Sequence, residues 1–256
     1  MAVSIDTVYR TVLLILNKEQ RGYLTPDEFN KTATQVQLEI FNEYFEDLNQ
    51  QYRVNGNDTE YSDRVKNLEE KISIFQTEAN CVWTSGYFYI DIPLPSAPLY
   101  LPRPELYKLG TVIYKGEKEI QYVQPNELLE LNLSPLTKPT VQWPVYKYSG
   151  SSYAGGLIYV YPTTIQTGVT CTFVRKPYNP IWNFTSSPPN FQYVYNSTQY
   201  NAVNNPTGSQ DFELHPTEQT NLITRILLYS GVVIRDPQII QIAAQQVQAE
   251  NVNSKS

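Results

Sequence analysis

The stretch Thr25-Pro26-Asp27-Glu28-Phe29 marks the beginning of a helix and is the strongest local signal in the chain. Thr25 supplies a capping hydroxyl, Pro26 suits the first helical position, and Glu28 completes a capping box. Asp27 and Glu28 also place negative charge at the positive end of the helix dipole. The helix is predicted to run to about Gln50, because apolar residues recur at helical spacing. These residues are Phe29, Ala33, Val36, Ile40, Phe41, Tyr44 and Leu48.

Two further helices are predicted on either side of this one. Ser4 can cap a helix over residues 5–18, and only a few residues separate that helix from Pro26. The first two helices should therefore form an antiparallel hairpin. After a turn at Asn55–Asp58, a narrow apolar stripe predicts a third helix from about Thr59 to Gln76.

The sequence pattern changes from helical to strand-like at Cys81. Residues 87–92 are rich in strand formers, and prolines follow them. A hairpin is predicted around Lys115–Lys118, and a short helix is predicted from Pro125 to Leu131. Strands are expected at residues 107–114, 119–123, 141–148, 157–161 and 169–175. Short strands with turns at this spacing indicate a small antiparallel sandwich or barrel.

Residues 176–210 form a long segment rich in Pro, Asn, Ser, Thr and aromatic residues. A structureless loop of about 35 residues is unusual within a compact domain, so we expect an arm or a binding loop. Its aromatic side chains are the candidate interface with other subunits or partners. They are Tyr178, Trp182, Phe184, Phe191, Tyr193, Tyr195 and Tyr200. Beyond this segment, Pro216 should open a helix to about Gly231, and Asp236 should cap a last helix to about Ala249.

These elements predict an α+β fold. Residues 1–80 are an acidic helical region, 81–175 a β-rich region, 176–210 the aromatic loop or arm, and 211–256 the C-terminal helices. Residues 80–210 are then inserted between two helical parts, and the C-terminal helices should pack back on the N-terminal ones.

Charge and composition limit the classes of function. The 256 residues are 41% hydrophobic, which suffices for one large or two small domains. The net charge of −6 lies entirely in residues 1–80, which hold 8 Lys/Arg and 14 Asp/Glu. An acidic chain without a basic stripe is a poor candidate for gripping phosphates, although it could surround DNA. No apolar stretch approaches the roughly 18 residues of a membrane helix, and no signal peptide is recognisable, so we expect a soluble chain made in the cytoplasm.

No catalytic, cofactor-binding or metal-binding constellation is apparent in the sequence. It has no GxSxG, Walker, GxGxxG or HExxH motif. His215 precedes a proline and is predicted to be a helix cap or surface residue. Asp211 and Glu213 could form a carboxylate pair, but a solvated or capping role is favoured. Cys81 and Cys171 lack metal-ligand spacing and predict buried or half-buried free thiols; a disulfide cannot be inferred.

The aromatic residues leave two non-enzymatic classes open. Trp143, Trp182 and the tyrosines could stack sugars in a carbohydrate- or receptor-binding module. Tyr and Trp also anchor protein interfaces, and the 21 tyrosines suit wide polar contacts. Without a sugar-binding motif, the subunit contact is favoured, and we predict a building block of a larger assembly and not an enzyme.

Two parts of the sequence resemble structural proteins of crAss-like and related short-tailed bacteriophages. The N-terminal part contains NKEQRGYLTPDEFN (residues 17–30) and QLEIFNEYFEDLN (residues 37–49). The C-terminal part contains DFEL (residues 211–214) and LLYSGVVIRDP (residues 227–237). The resemblance covers roughly residues 5–50 and 210–248, and the middle of the chain is only loosely similar.

The resemblance implies a neck or head–tail connector protein of the virion, assembled in the bacterial cytoplasm. It implies a homo-oligomeric ring, expected to be twelve-fold, that meets the portal protein and other neck or tail rings. DNA would pass through the ring without being gripped, since acidic walls repel phosphates. No catalytic residue, cofactor or membrane contact is implied. Rings also require one face of a subunit to meet a different face of the next.

Overall fold

The computed structural model describes ten parts of the chain: residues 3–18, 24–53, 59–91, 105–150, 156–185, 193–198, 200, 208–234, 241–242 and 244–248. They form two compact units. The helical unit contains the described residues of 1–74 and 177–256, and the barrel unit contains those of 75–96 and 102–176. The predicted α+β class is confirmed.

Helices occupy the two ends of the described chain, and strands occupy most of its middle. The helices are α1 (Ile5–Lys18), α2 (Pro26–Arg53), α3 (Thr59–Ser73), α4 (Pro125–Leu133) and α5 (Gln219–Ile234). The strands are β1 (Gln76–Thr84), β2 (Tyr87–Asp91), β3 (Leu106–Tyr114), β4 (Lys118–Tyr122), β5 (Val145–Ser149), β6 (Leu157–Tyr161), β7 (Val169–Arg175), β8 (Phe184–Thr185) and β9 (Val194–Tyr195). A 3₁₀ turn spans Pro216–Glu218, and residues 241–242 and 244–248 are helical.

The capping box that begins α2 is formed as predicted. The Glu28 carboxylate accepts hydrogen bonds from the Thr25 N–H at 3.0 Å and from the Thr25 hydroxyl at 2.7 Å. In return, the Glu28 N–H donates to Thr25 Oγ1 at 3.4 Å. Two backbone donors at the helix end are thereby satisfied by side chains.

The core of the helical unit is built from the predicted apolar stripes. Val8 and Val12 of α1, Phe29 and Ile40 of α2, and Ile226 of α5 are all fully or almost fully buried. Helix α5 contacts both α1 and α2, which confirms that the C-terminal part packs back on the N-terminal helices. The predicted cap at Asp236 and Pro237 lies outside the described residues.

Three predicted boundaries are wrong. Helix α3 ends at Ser73 and not at Gln76, and β1 begins at Gln76, five residues before Cys81. The first two differences arise from tertiary structure. Residues Gln76 to Asn80 pair with β7, and this strand pairing overrides the local preference of the sequence for helix. The strand predicted from residue 141 begins at Val145, since residues 140–143 form a turn closed by backbone bonds.

Seven strands of the barrel unit form a closed barrel in the order β1-β2-β6-β5-β4-β3-β7, and β7 pairs back with β1. All pairs are antiparallel except β4–β5, which is parallel, so the wholly antiparallel prediction is wrong there. A parallel pair needs a crossover connection, and α4 supplies it. Leu128 of α4 packs with Val123 and Val145, which fixes the helix on the barrel.

Candidate interaction surfaces

Trp182 lies at the centre of an aromatic cluster within the helical unit. Its ring centroid is 4.3 Å from that of Tyr9, and it stacks with Tyr195 at 5.8 Å and with Phe184 at 6.0 Å. Its indole N–H donates to Asp6 Oδ1 at 3.1 Å, and only 4% of the residue is exposed. The polar atom of this large side chain is therefore satisfied inside the unit.

Two amide side chains of α2 hold the backbone around this cluster. Asn30 bonds both backbone groups of Trp182, since Trp182 N–H donates to Asn30 Oδ1 at 2.8 Å and Asn30 Nδ2 donates to Trp182 O at 3.1 Å. Gln37 Nε2 donates to Tyr178 O at 2.7 Å, and Gln37 Oε1 accepts from the Glu213 N–H at 3.1 Å. Asn30 and Gln37 are seven residues apart, about two helical turns, and therefore lie on one face of α2.

The structure corrects part of the aromatic interface prediction. Tyr178 and Trp182 are buried, so neither is available as an exposed anchor for another chain. Their burial follows from the α2 amides, which fasten the backbone of this segment to the helix. Of the other predicted residues, Tyr193 is exposed, Phe191 lies outside the described residues, and Phe184, Tyr195 and Tyr200 are half-buried.

The acidic residues and the histidine at the start of the C-terminal part bind backbone groups or cap a turn. Asp211 Oδ1 accepts from the Ile5 N–H at 2.9 Å, at the beginning of α1. Glu213 Oε2 accepts from the Tyr178 N–H at 2.7 Å. His215 caps the 3₁₀ turn and bonds Thr217 Oγ1 at 2.8 Å, so the predicted capping role of the histidine is confirmed.

A group of ion pairs connects helices of the helical unit beside a cavity of about 270 Å³. Arg225 of α5 donates two bonds of 2.6 Å to the Glu43 carboxylate of α2, and Lys71 of α3 lies 2.6 Å from the Glu218 carboxylate. The Tyr229 hydroxyl donates to Glu39, and this bond raises the pKa of Tyr229. Since these charges are already paired, the arrangement is suited to fastening helices together.

Exposed apolar side chains are concentrated in one segment of the barrel unit. Leu129, Leu133, Leu136 and Trp143 are 68%, 84%, 96% and 78% exposed. Among the large hydrophobic residues of the described part of the chain, these four are the most exposed. Large exposed apolar patches are uncommon on monomers and usually mark a binding site, so this segment is the candidate for one. We call Leu129, Leu133 and Leu136 the leucine ridge.

Local hydrogen bonds hold the leucine ridge in place. Leu129 and Leu133 are four residues apart on α4, so they share the helix face opposite the buried Leu128. After α4, the Leu136 N–H donates to Ser134 Oγ at 3.3 Å, and the Lys138 N–H donates to Ser134 O at 3.1 Å. The exposed leucines are therefore presented by an ordered helix and turn.

A groove of about 710 Å³ adjoins the parallel strands β4 and β5. Its lining residues are Glu117, Lys118, Glu119, Gln121, Tyr122, Gln142, Trp143, Pro144 and Val145. Trp143 and Tyr122 are largely exposed, and their rings give the groove aromatic walls.

Composition pointed to Trp143 as an aromatic platform, but the leucine ridge was not predicted from the sequence. The sequence signal for the ridge is an excess of leucines. Leu128 and Leu131 cover the side of the short helix that packs on the barrel, which leaves Leu129, Leu133 and Leu136 exposed.

Thiols and potential metal ligands add no second site within the described residues. Cys81 and Cys171 are buried free thiols in the barrel interior, as predicted. The bond to the Cys171 thiol, together with burial, raises the pKa of Cys81. Within the described ranges, no three His, Cys, Asp or Glu side chains gather as metal ligands. In the same residues, no helix is long and apolar enough to cross a membrane.

Comparison of the sequence with protein-family models and with curated proteins finds no match. The resemblance to phage connector proteins therefore stays a prediction.

Proposed function

We propose that this chain is a structural subunit of an oligomeric assembly, a ring of the phage neck that connects portal to tail and surrounds the DNA channel. One observation carries the assembly role: the leucine ridge and Trp143 are the most exposed large hydrophobic side chains of the described residues. Surface of this kind is costly in water and is stabilised when another protein covers it.

The sequence supports the more specific part of the proposal. The two segments that resemble connector proteins both contribute to the helical unit, at residues 5–50 and 210–248. The net charge of −6 lies in residues 1–80 and suits a wall that DNA passes without being held. The cations Lys71 and Arg225 are paired with Glu218 and Glu43 inside the unit, so these two charges fasten helices and are not assigned to phosphate.

The proposal is tested by purifying the chain alone and with the portal protein of the same phage. Light scattering and negative-stain microscopy should find rings or portal-bound rings. The double variant Leu133→Asp, Leu136→Asp should lose assembly, whereas Leu14→Asp should keep it. Leu14 is a matched control, since it is 60% exposed but belongs to α1 of the helical unit. A chain that stays monomeric at every concentration and never joins the portal would refute the assembly role.

A carbohydrate- or receptor-binding module of a phage tail or fibre is the second candidate, and the groove is the observation that favours it. Trp143 is 78% exposed beside Gln121, Gln142 and Glu119, and an exposed indole with amide and carboxylate neighbours can stack and hydrogen-bond a sugar. Trp182, the other tryptophan considered for this role, is buried. Glycan-array binding that is lost in Trp143→Ala would support this candidate, and a blank array would remove it.

A further inference from the structure

We propose that the leucine ridge of one copy docks into the groove beside Trp143 of a second copy of this chain. The inference rests on the proposed assembly role and names the contact that builds the assembly. It requires two different surfaces on one chain, one exposed and apolar and one concave, and the barrel unit presents both.

The two surfaces are made by different residues. None of the three ridge leucines lines the groove, whose walls come from β4, β5 and residues 142–144. A surface patch that is complementary to a separate pocket on the same molecule makes a heterologous contact, with one face of a subunit meeting a different face of the next. Such a contact leaves a free ridge at one end and a free groove at the other, so it repeats, and it builds a ring where the rotation between copies closes and an open filament where it does not.

The groove has the size and chemistry to take leucine side chains. Its volume of about 710 Å³ exceeds what a single side chain needs, and the exposed rings of Tyr122 and Trp143 give it apolar walls. Aromatic residues in a pocket are the usual anchors of protein interfaces. The charges at the groove, Glu117, Lys118 and Glu119, are mixed in sign. An apolar insert therefore fits this groove better than a polyanion such as nucleic acid does.

Both surfaces are ordered before contact. The ridge stands on α4 and on the bonded turn after Ser134, and the groove stands on strands of the closed barrel. Trp143 is itself held, because its N–H donates to Thr140 O at 3.1 Å and to Thr140 Oγ1 at 3.2 Å. Ordered surfaces lose less conformational entropy on binding, which favours association between copies.

Mixing two complementary variants tests the contact. The ridge variant is Leu133→Asp with Leu136→Asp, and the groove variant is Trp143→Asp. Each variant alone should be monomeric, with self-association weakened by about thirtyfold or more, as for an interface hot spot. A 1:1 mixture should form heterodimers and nothing larger, because only the ridge of one variant and the groove of the other are intact. Trp83→Ala, on β1 of the same unit, is the control and should assemble like the wild-type chain.

A disulfide trap gives an independent readout. Leu136→Cys and Gln142→Cys, placed on separate copies and mixed with an added oxidant, should form an intermolecular bond. Neither variant alone should do so efficiently. The native thiols Cys81 and Cys171 are buried and should contribute little background.

The outcomes separate this contact from the general assembly role. Rings that form from the groove variant but not from the ridge variant would overturn the contact and leave the assembly role intact. Rings that form equally well from both variants would overturn the contact and also remove the ridge as support for the assembly role. Monomers in the wild-type chain, alone and with the portal protein, would refute both. Variants that fail alone and also fail to pair when mixed would overturn the contact, provided that their circular dichroism spectra match the wild type.

Discussion

Gln37→Leu is expected to destabilise the helical unit, although leucine has a similar volume and the position is buried. Gln37 is 1% exposed, and its amide bonds Tyr178 O and the Glu213 N–H. Leucine can form neither bond. One buried acceptor and one part-buried donor therefore lose this partner, on two segments that are distant in sequence.

The magnitude follows from these two groups. A buried backbone group that loses its partner costs about 1–3 kcal/mol and a part-buried one somewhat less, so the two together cost about 2–5 kcal/mol. Burying an apolar side chain in place of an amide returns about 1–2 kcal/mol. The net loss should be about 1–4 kcal/mol, a large share of the roughly 5–15 kcal/mol that stabilises a typical domain.

Urea unfolding followed by tryptophan fluorescence measures this loss within the helical unit. The chain has 3 tryptophans, and replacing Trp83 and Trp143 by Phe leaves the buried Trp182 as the reporter. Gln35→Leu is the matched control, because Gln35 is exposed on the same helix and bonds only the nearby Glu39. The control should change stability by no more than about 0.5 kcal/mol.

Equal unfolding midpoints for Gln37→Leu and Gln35→Leu, at unchanged slope, would refute the reasoning. They would mean that the amide of Gln37 does not hold the segment at residues 178–182 in solution. The burial of Trp182, and its removal from the predicted interface, would then lose their physical basis.

Two further predictions concern the barrel and the capping box. Gly110→Ala should destabilise the barrel by about 1–3 kcal/mol, since the new Cβ would lie 2.7 Å from Thr172 Oγ1 and 3.0 Å from Thr172 O. Gly150→Ala, with open space around it, should be nearly neutral in the same thermal melts. Bonds from Thr25 lower the pKa of Glu28 below its usual 4.5, so its capping contribution is present above pH 4.5 and is lost as pH falls through the lowered value. The stability difference between wild type and Glu28→Gln should therefore disappear in acid, and a difference that persists below that value would contradict the capping role.

Elements whose signals are local were predicted closely. The capping box is complete within residues 25–28, and α2 begins at Pro26 as expected. Strands β6 and β7 have the predicted bounds, because turns at Gly156 and Gly168 punctuate them and both glycines adopt positive φ. In these cases the residues that decide the element lie within or beside it.

Pairings between distant segments could not be predicted. The barrel closes where Gln76 pairs with Val174, and the periodicity of either strand does not identify its partner. The parallel pair β4–β5 depends on α4 acting as a crossover, which a predicted short helix does not by itself indicate. The turn at Ser85–Gly86 was not predicted from the sequence. In the structure both residues adopt the positive φ typical of a two-residue hairpin.

The aromatic segment and the leucine ridge show why composition alone does not tell which side chains are exposed. Tyr and Trp have polar tips, so they can be buried inside their own chain once a partner such as Asp6 accepts the indole N–H. Richness in aromatic residues is therefore compatible with either burial or exposure. The side chains of Leu133 and Leu136 have no polar atom that could form a hydrogen bond with water, yet these residues are 84% and 96% exposed. Their exposure points to a surface that becomes favourable only when another molecule covers it, which is why the ridge, and not the aromatic segment, is the stronger indication of assembly.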